Sequence, residues 1–229
     1  MGQLISMGSF LVGGIGVELV YSFIIIVCSL MIYFATKEMD KLTSYKGIKY
    51  FRLSFLFFAF AYFFRYFIQF FLFSFKLNGI LEFSPMFLGA ISLFVFLYFS
   101  SMAIFFLLYS VMWKKWNHSK LTILLFNIFA LIIAFASIFF RGISVYLVIN
   151  FILLLIVLFI LIVAYKDSRK KSKAGNSFII YLLLSIFWIL NIMNILVPRF
   201  LSIYQLLVYL VSISLFMIIL YKVLKKTGE

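Results

Sequence analysis

The chain has 229 residues, of which 67% are hydrophobic and 11% charged, and its mean hydropathy is +1.24. Soluble domains carry about a quarter charged residues, so a water-facing surface is excluded and the lipid bilayer is the expected solvent. The net charge of +14 does not point to nucleic acid, because the basic residues lie in short segments between apolar runs, where membrane topology places them.

The chain is expected to form an all-α integral membrane protein, a seven-transmembrane helix bundle filling residues 1–229 with no soluble domain. Residues 1–9 carry no charge and lack the basic segment and cleavage site of a removable signal. The first span is expected at 10–35; it contains Glu18 and Cys28 and stops before a loop carrying both signs of charge. The second, at 50–75, holds Arg65 in its interior. At about 1.5 Å per residue, Arg65 lies about 24 Å from Lys49 and about 16 Å from Lys76. Neither end is within snorkelling reach, so Arg65 faces protein or trapped water rather than lipid.

The turn pair Asn78-Gly79 and Pro85 lead into the third span, 87–113, which meets the basic loop containing His118. Spans four and five, 121–140 and 144–165, are separated only by Arg141-Gly142. Without that break they would form a run of about 45 residues, twice the length of one crossing. The most basic segment, Arg169–Lys173, precedes span six at 177–196; Pro198 and Arg199 mark its exit, and span seven covers 203–221.

Sixteen of the twenty Lys and Arg fall on the side of the loops after spans one, three and five and of the C-terminal segment. Three fall on the other side, and Arg65 is the twentieth. By the positive-inside rule the N-terminus is outside and the C-terminus cytoplasmic, in the cell membrane.

Polar residues on five helices share one depth. Glu18, Gln69, Asn150, Asn191 and Gln205 each lie about 24–30 Å above the cytoplasmic charge that follows or precedes their span. Helical spacing puts Tyr62, Arg65 and Gln69 on one face of span two, and Ser185, Trp188, Asn191 and Asn194 on one face of span six. Tyr98 lies on the corresponding face of span three, and Gln205 on that of span seven. The candidate ligand-binding set is therefore Arg65, Glu18, Gln69, Tyr98, Asn150, Trp188, Asn191, Asn194 and Gln205. Glu18 and Arg65, on consecutive spans and about 4 Å apart in depth, are expected to approach directly or through one water. The competing structural account is that the amides bind helices together, at about 0.6 kcal/mol per interhelical hydrogen bond.

Enzyme parts are missing: the spans hold one carboxylate, Glu18, and His118 lies in a cytoplasmic loop. The lone Cys28 and single histidine offer no metal cluster, no cofactor is implied, and no lysine lies within a span to carry a retinal Schiff base. The expected function is a receptor-like or sensory membrane subunit with a polar pocket in its outer half. The alternatives are a small-solute permease or transporter subunit and a ligand-free structural subunit. Spans one to three and five to seven run in the same direction, so a parallel repeat flanking span four is topologically open to the permease. The expected partners are the bilayer, anionic lipid headgroups at Arg169–Lys173, and a protein on the cytoplasmic face, since few residues follow span seven to carry an output.

Overall fold

A backbone surrounded by hydrocarbon must satisfy every N–H and C=O within itself, and long runs of Phe, Leu and Ile free of internal proline do so as helices. The computed structural model describes residues 2–42, 46–77, 85–113, 115–116, 120–140, 143–170, 175–196 and 202–227. Side chains are described for the same residues except toward several helix ends, Gln69 and Asn194 included. Among the described residues there are seven helices and no strand: α1 Gly2–Leu42, α2 Gly47–Leu77, α3 Pro85–Met112, α4 Lys120–Phe139, α5 Ile143–Lys170, α6 Gly175–Leu196 and α7 Ser202–Thr227.

Six of these helices are long and apolar enough to cross a membrane; the apolar stretch of α6, Phe178–Met193, is shorter among the described residues. Each expected span falls on one helix. At their C-terminal ends α1, α5 and α7 outrun the apolar spans because charged residues continue a helix into solvent at no desolvation cost. Pro85 is the first residue of α3, where its missing N–H costs nothing. The turns expected at Asn78-Gly79 and Arg141-Gly142 lie outside the described residues, as do His118 and Lys171–Lys173.

The helices close into a ring. In order around it, α1 packs on α2, α2 on α3, α3 on α5, α5 on α6, α6 on α7, and α7 returns to α1. Helix α4 stands outside, against α3 with a slight contact to α5. Its Leu124, Ile128, Phe129, Ile132 and Phe135 are exposed, as lipid-facing positions are.

Among the described residues α2 and α6 make no close backbone contact, and aromatic rings fill the space between them. Phe55, Phe187 and Phe216 are 0% exposed. The Phe216 ring lies 4.6 Å from that of Phe187 and 6.5 Å from that of Phe55, so α2, α6 and α7 meet through three rings. Cys28 is buried 3.6 Å from the Met217 sulfur, a small packing residue between α1 and α7.

The C-terminal end of α1 is clamped to the start of α2. Arg52 donates to the Asp40 carboxylate at 2.7 Å and to the Tyr33 carbonyl at 3.2 Å, while its guanidinium lies 4.6 Å from the Tyr33 ring centre. Both charged side chains are about four-fifths shielded or more, at 13% and 21% exposure, so this pair is worth more than a freely hydrated one. Arg52→Met with Asp40→Asn in a double-mutant cycle is expected to show a coupling of about 1–2 kcal/mol in unfolding from lipid nanodiscs. A coupling near zero would mean that the clamp does not contribute.

Candidate functional site

The site is built on α2, whose position 65 turns a guanidinium toward the ring interior. Arg65 lines a partly enclosed cavity of about 30 Å³ together with Tyr62 and Phe58 of the same helix. Phe96 and Ser100 of α3, Tyr146 and Asn150 of α5, and Trp188 and Asn191 of α6 complete the lining. Residues separated by three or four positions share a helical face, and each of the four helices contributes such a set. The ring order places these four helices around one space, with α4 excluded from it.

The Arg65 guanidinium is held by rings. Its carbon lies 4.7 Å from the Phe96 ring centre and 5.6 Å from that of Tyr66, a geometry in which the cation meets the ring quadrupoles. Its backbone carbonyl accepts from Ser92 at 3.3 Å, fastening α2 to α3 beside the site. Among the described residues, no hydrogen bond or ion pair engages the guanidinium, whose five donors remain available.

The amides satisfy themselves first. Asn150 donates to the Tyr146 carbonyl at 2.8 Å, Asn191 to the Phe187 carbonyl at 3.2 Å, and Asn127 to the Ile123 carbonyl at 2.9 Å. Each of these bonds returns to the residue four positions back in the same helix. Each NH2 keeps a second N–H, and tyrosines take the side-chain oxygens of Asn191 and Asn127. Tyr62 donates to Asn191 Oδ1 at 3.2 Å and shares a 3.4 Å hydroxyl contact with Tyr21, joining α1, α2 and α6. Trp188 Nε1 donates to the backbone carbonyl of Asn150 at 3.3 Å and ties α6 to α5.

Of the expected site residues, Arg65, Asn150, Trp188 and Asn191 are brought together at the cavity. Glu18 is held elsewhere: its Oε1 accepts from Tyr209 at 3.3 Å, across the contact of α7 with α1. The ion pair among the described residues is Arg52–Asp40, and Glu18 and Arg65 do not form one. The direct approach of Glu18 to Arg65 is therefore not made; closure of α7 on α1 supplied the carboxylate with a nearer partner. Tyr98 faces α4 instead of the cavity, donating to Asn127 at 2.8 Å. Gln205 is half-buried on α7 and is not part of the lining. The Gln69 and Asn194 side chains lie outside the described residues.

Sequence reasoning passed over Tyr146, Tyr62, Phe96, Phe58 and Ser100 as site residues. Tyr62 carried a signal, three positions before Arg65 on the same face; Tyr146 stands four before Asn150 and carried the same one. Among known proteins, an uncharacterized protein of Archaeoglobus fulgidus is 32% identical to this chain over 222 residues, covering 93% of each. No family model matches the chain. No solved structure matches it.

Proposed function

We propose that this chain, which belongs to one family with the uncharacterized Archaeoglobus fulgidus protein, is a receptor-like or sensory membrane subunit that binds a small anion at Arg65. The observation that carries this reading is the cavity itself, which puts a guanidinium with uncommitted donors beside Asn150, Asn191 and Trp188. A charge in mid-membrane is costly, about 2.5–3.5 kcal/mol on the insertion scale, and such residues as a rule mark a function. A purely structural arginine would spend its donors on protein acceptors. In this reading the protein crosses the cell membrane seven times, α6 included, because its 22 residues span about 33 Å at the helical rise.

The N-terminus lies outside and the C-terminus in the cytoplasm, as the charge asymmetry dictates. The cavity then lies in the outer half, binding rather than catalysis is its role, and the output passes to a protein on the cytoplasmic face. Basic side chains of Arg169–Lys173 lie against anionic headgroups, at about 1 kcal/mol each. Single cysteines at Ser9 and Asn78 are expected to react with an impermeant maleimide from outside, and one at Ser172 only after permeabilisation. The reverse pattern would invert the topology and place the cavity on the cytoplasmic side.

A second reading is favoured by the ring order. The sequence of contacts α1–α2–α3 repeats as α5–α6–α7, and the junction of α3 with α5 matches that of α7 with α1. Two three-helix halves linked by an outlying α4 are what a small-solute permease built from a parallel repeat would show. Purified protein in proteoliposomes separates the two. A sensory subunit is expected to be stabilised by at least one of sodium chloride, formate and acetate relative to gluconate without passing it, whereas a permease equilibrates it across the membrane. Absence of both effects would leave the scaffold reading.

A further inference from the structure

We infer that the anion held at Arg65 is a single halide-sized monovalent ion, with the Tyr146 hydroxyl as its second donor. The inference rests on the anion-site reading above and narrows it by size, charge and donor count. Size comes first. A cavity of about 30 Å³ holds two or three water-sized spheres, at about 10–15 Å³ for each sphere. That accommodates a halide and excludes an amino acid, a sugar phosphate or an organic acid with a chain.

Charge narrows it further. Arg65 brings one positive charge, and the nearest membrane carboxylate, Glu18, bonds to Tyr209 instead of neutralising it at contact. At contact distance one monovalent anion matches the Arg65 charge, whereas a divalent one leaves an excess negative charge there in a medium of low dielectric.

The donors decide the contacts. Most polar groups of the lining are already committed: Tyr62 to Asn191, Trp188 to the Asn150 carbonyl, Ser100 to the Leu97 carbonyl, and the Asn150 amide to the Tyr146 carbonyl. Two remain whose donors engage no described residue, the Arg65 guanidinium and the Tyr146 hydroxyl, and both line the cavity. They stand on α2 and α5, on either side of α3 in the ring. A spherical ion accepts from two such donors without the directional match that a carboxylate requires.

The test uses the full chain in lipid nanodiscs, with the unfolding midpoint followed while sodium chloride, bromide, acetate or sulfate replaces gluconate at constant ionic strength. Chloride and bromide are expected to raise the midpoint saturably, and acetate and sulfate to match gluconate. Tyr146→Phe is expected to raise the half-saturating chloride about tenfold or more, as loss of one hydrogen bond to a charged group does, with its midpoint in gluconate unchanged. In bromide-soaked crystals of the unaltered protein, an anomalous peak is expected between Arg65 and Tyr146, which keeps the test independent of how the variant folds. Saturation by acetate or sulfate with no response to chloride would overturn the halide assignment and leave the anion site standing. No response beyond gluconate from any salt would overturn both. A variant that titrates like the parent would remove Tyr146 from the site.

Discussion

Arg65→Gln is expected to abolish the stabilisation that small anions give the protein, while the variant in gluconate unfolds no more easily than its parent. The anion response disappears because glutamine keeps a polar tip but carries neither the charge nor the fork of donors. The unchanged or raised baseline follows from what surrounds the guanidinium. If Arg65 and Glu18 formed a contact pair, removing one partner would strand the other and cost about 3–5 kcal/mol. Glu18 instead accepts from Tyr209, and Arg65 has ring contacts and no ion pair among the described residues. Removing the cation therefore releases a desolvated charge and forfeits about 0.5–2 kcal/mol of cation–π attraction. The release matches or exceeds the loss, so the baseline holds or rises. For the same reason, exchanging the charges as Glu18→Arg with Arg65→Glu is not expected to rescue anything. A baseline loss of several kcal/mol in chemical unfolding, restored by the exchange, would show that the two groups are partners after all.

Phe216→Ala is expected to cost about 3–5 kcal/mol, the usual range for emptying a buried aromatic site. Lipid contact offers no compensation here, because Phe216 is 0% exposed and its ring is the one shared by Phe55 of α2 and Phe187 of α6. Where backbones do not touch, a missing ring leaves a gap that the helices can close only by moving together, and the Arg65 cavity lies between two of them. The variant is therefore also expected to weaken the anion response without altering any residue of the lining. Phe129→Ala is the control. At 53% exposure on the outlying α4, this side chain faces lipid, where truncation merely exchanges one apolar contact for another, and the expected loss is below about 0.5 kcal/mol. Equal losses from the two substitutions would refute the division into a ring and an outlier.

Much of this architecture is legible in the residues themselves. Apolar length announces each helix because hydrocarbon permits nothing else, and Arg65 stands out as one cation in a run of aromatics. Asn150, Trp188 and Asn191 follow from depth and helical period, and the cavity gathers all three. What periodicity does not convey is which helix stands opposite. Tyr98 shares a depth with the cavity but turns to Asn127, because α4 packs against α3 there. Helix α4 is no less apolar than its neighbours, so its place outside the ring leaves no mark in composition; in lipid, the inner and outer faces are both greasy. Adjacency along the chain pairs Glu18 with Arg65, whereas the ring joins it to the last helix. The tyrosines were hardest to read. Among 14 tyrosines and 33 phenylalanines, one hydroxyl looks like another until the carbonyl it reaches is known.

The closure of the ring also sets a timetable for manufacture. Glu18 and Tyr209 are 191 positions apart, and a ribosome adding about 5–20 residues per second needs roughly 10–40 s to cover that distance. Throughout this interval α1 is already threaded into the membrane with an acid that has not met its hydroxyl. An unpartnered acid is costly in hydrocarbon, so a nascent chain in that condition keeps Glu18 beside the insertion machinery, out of lipid. Release into the bilayer then waits for the final helix, and a chain cut short before Ser202 retains α1 with its acid uncovered, a mark by which membrane quality control can recognise it.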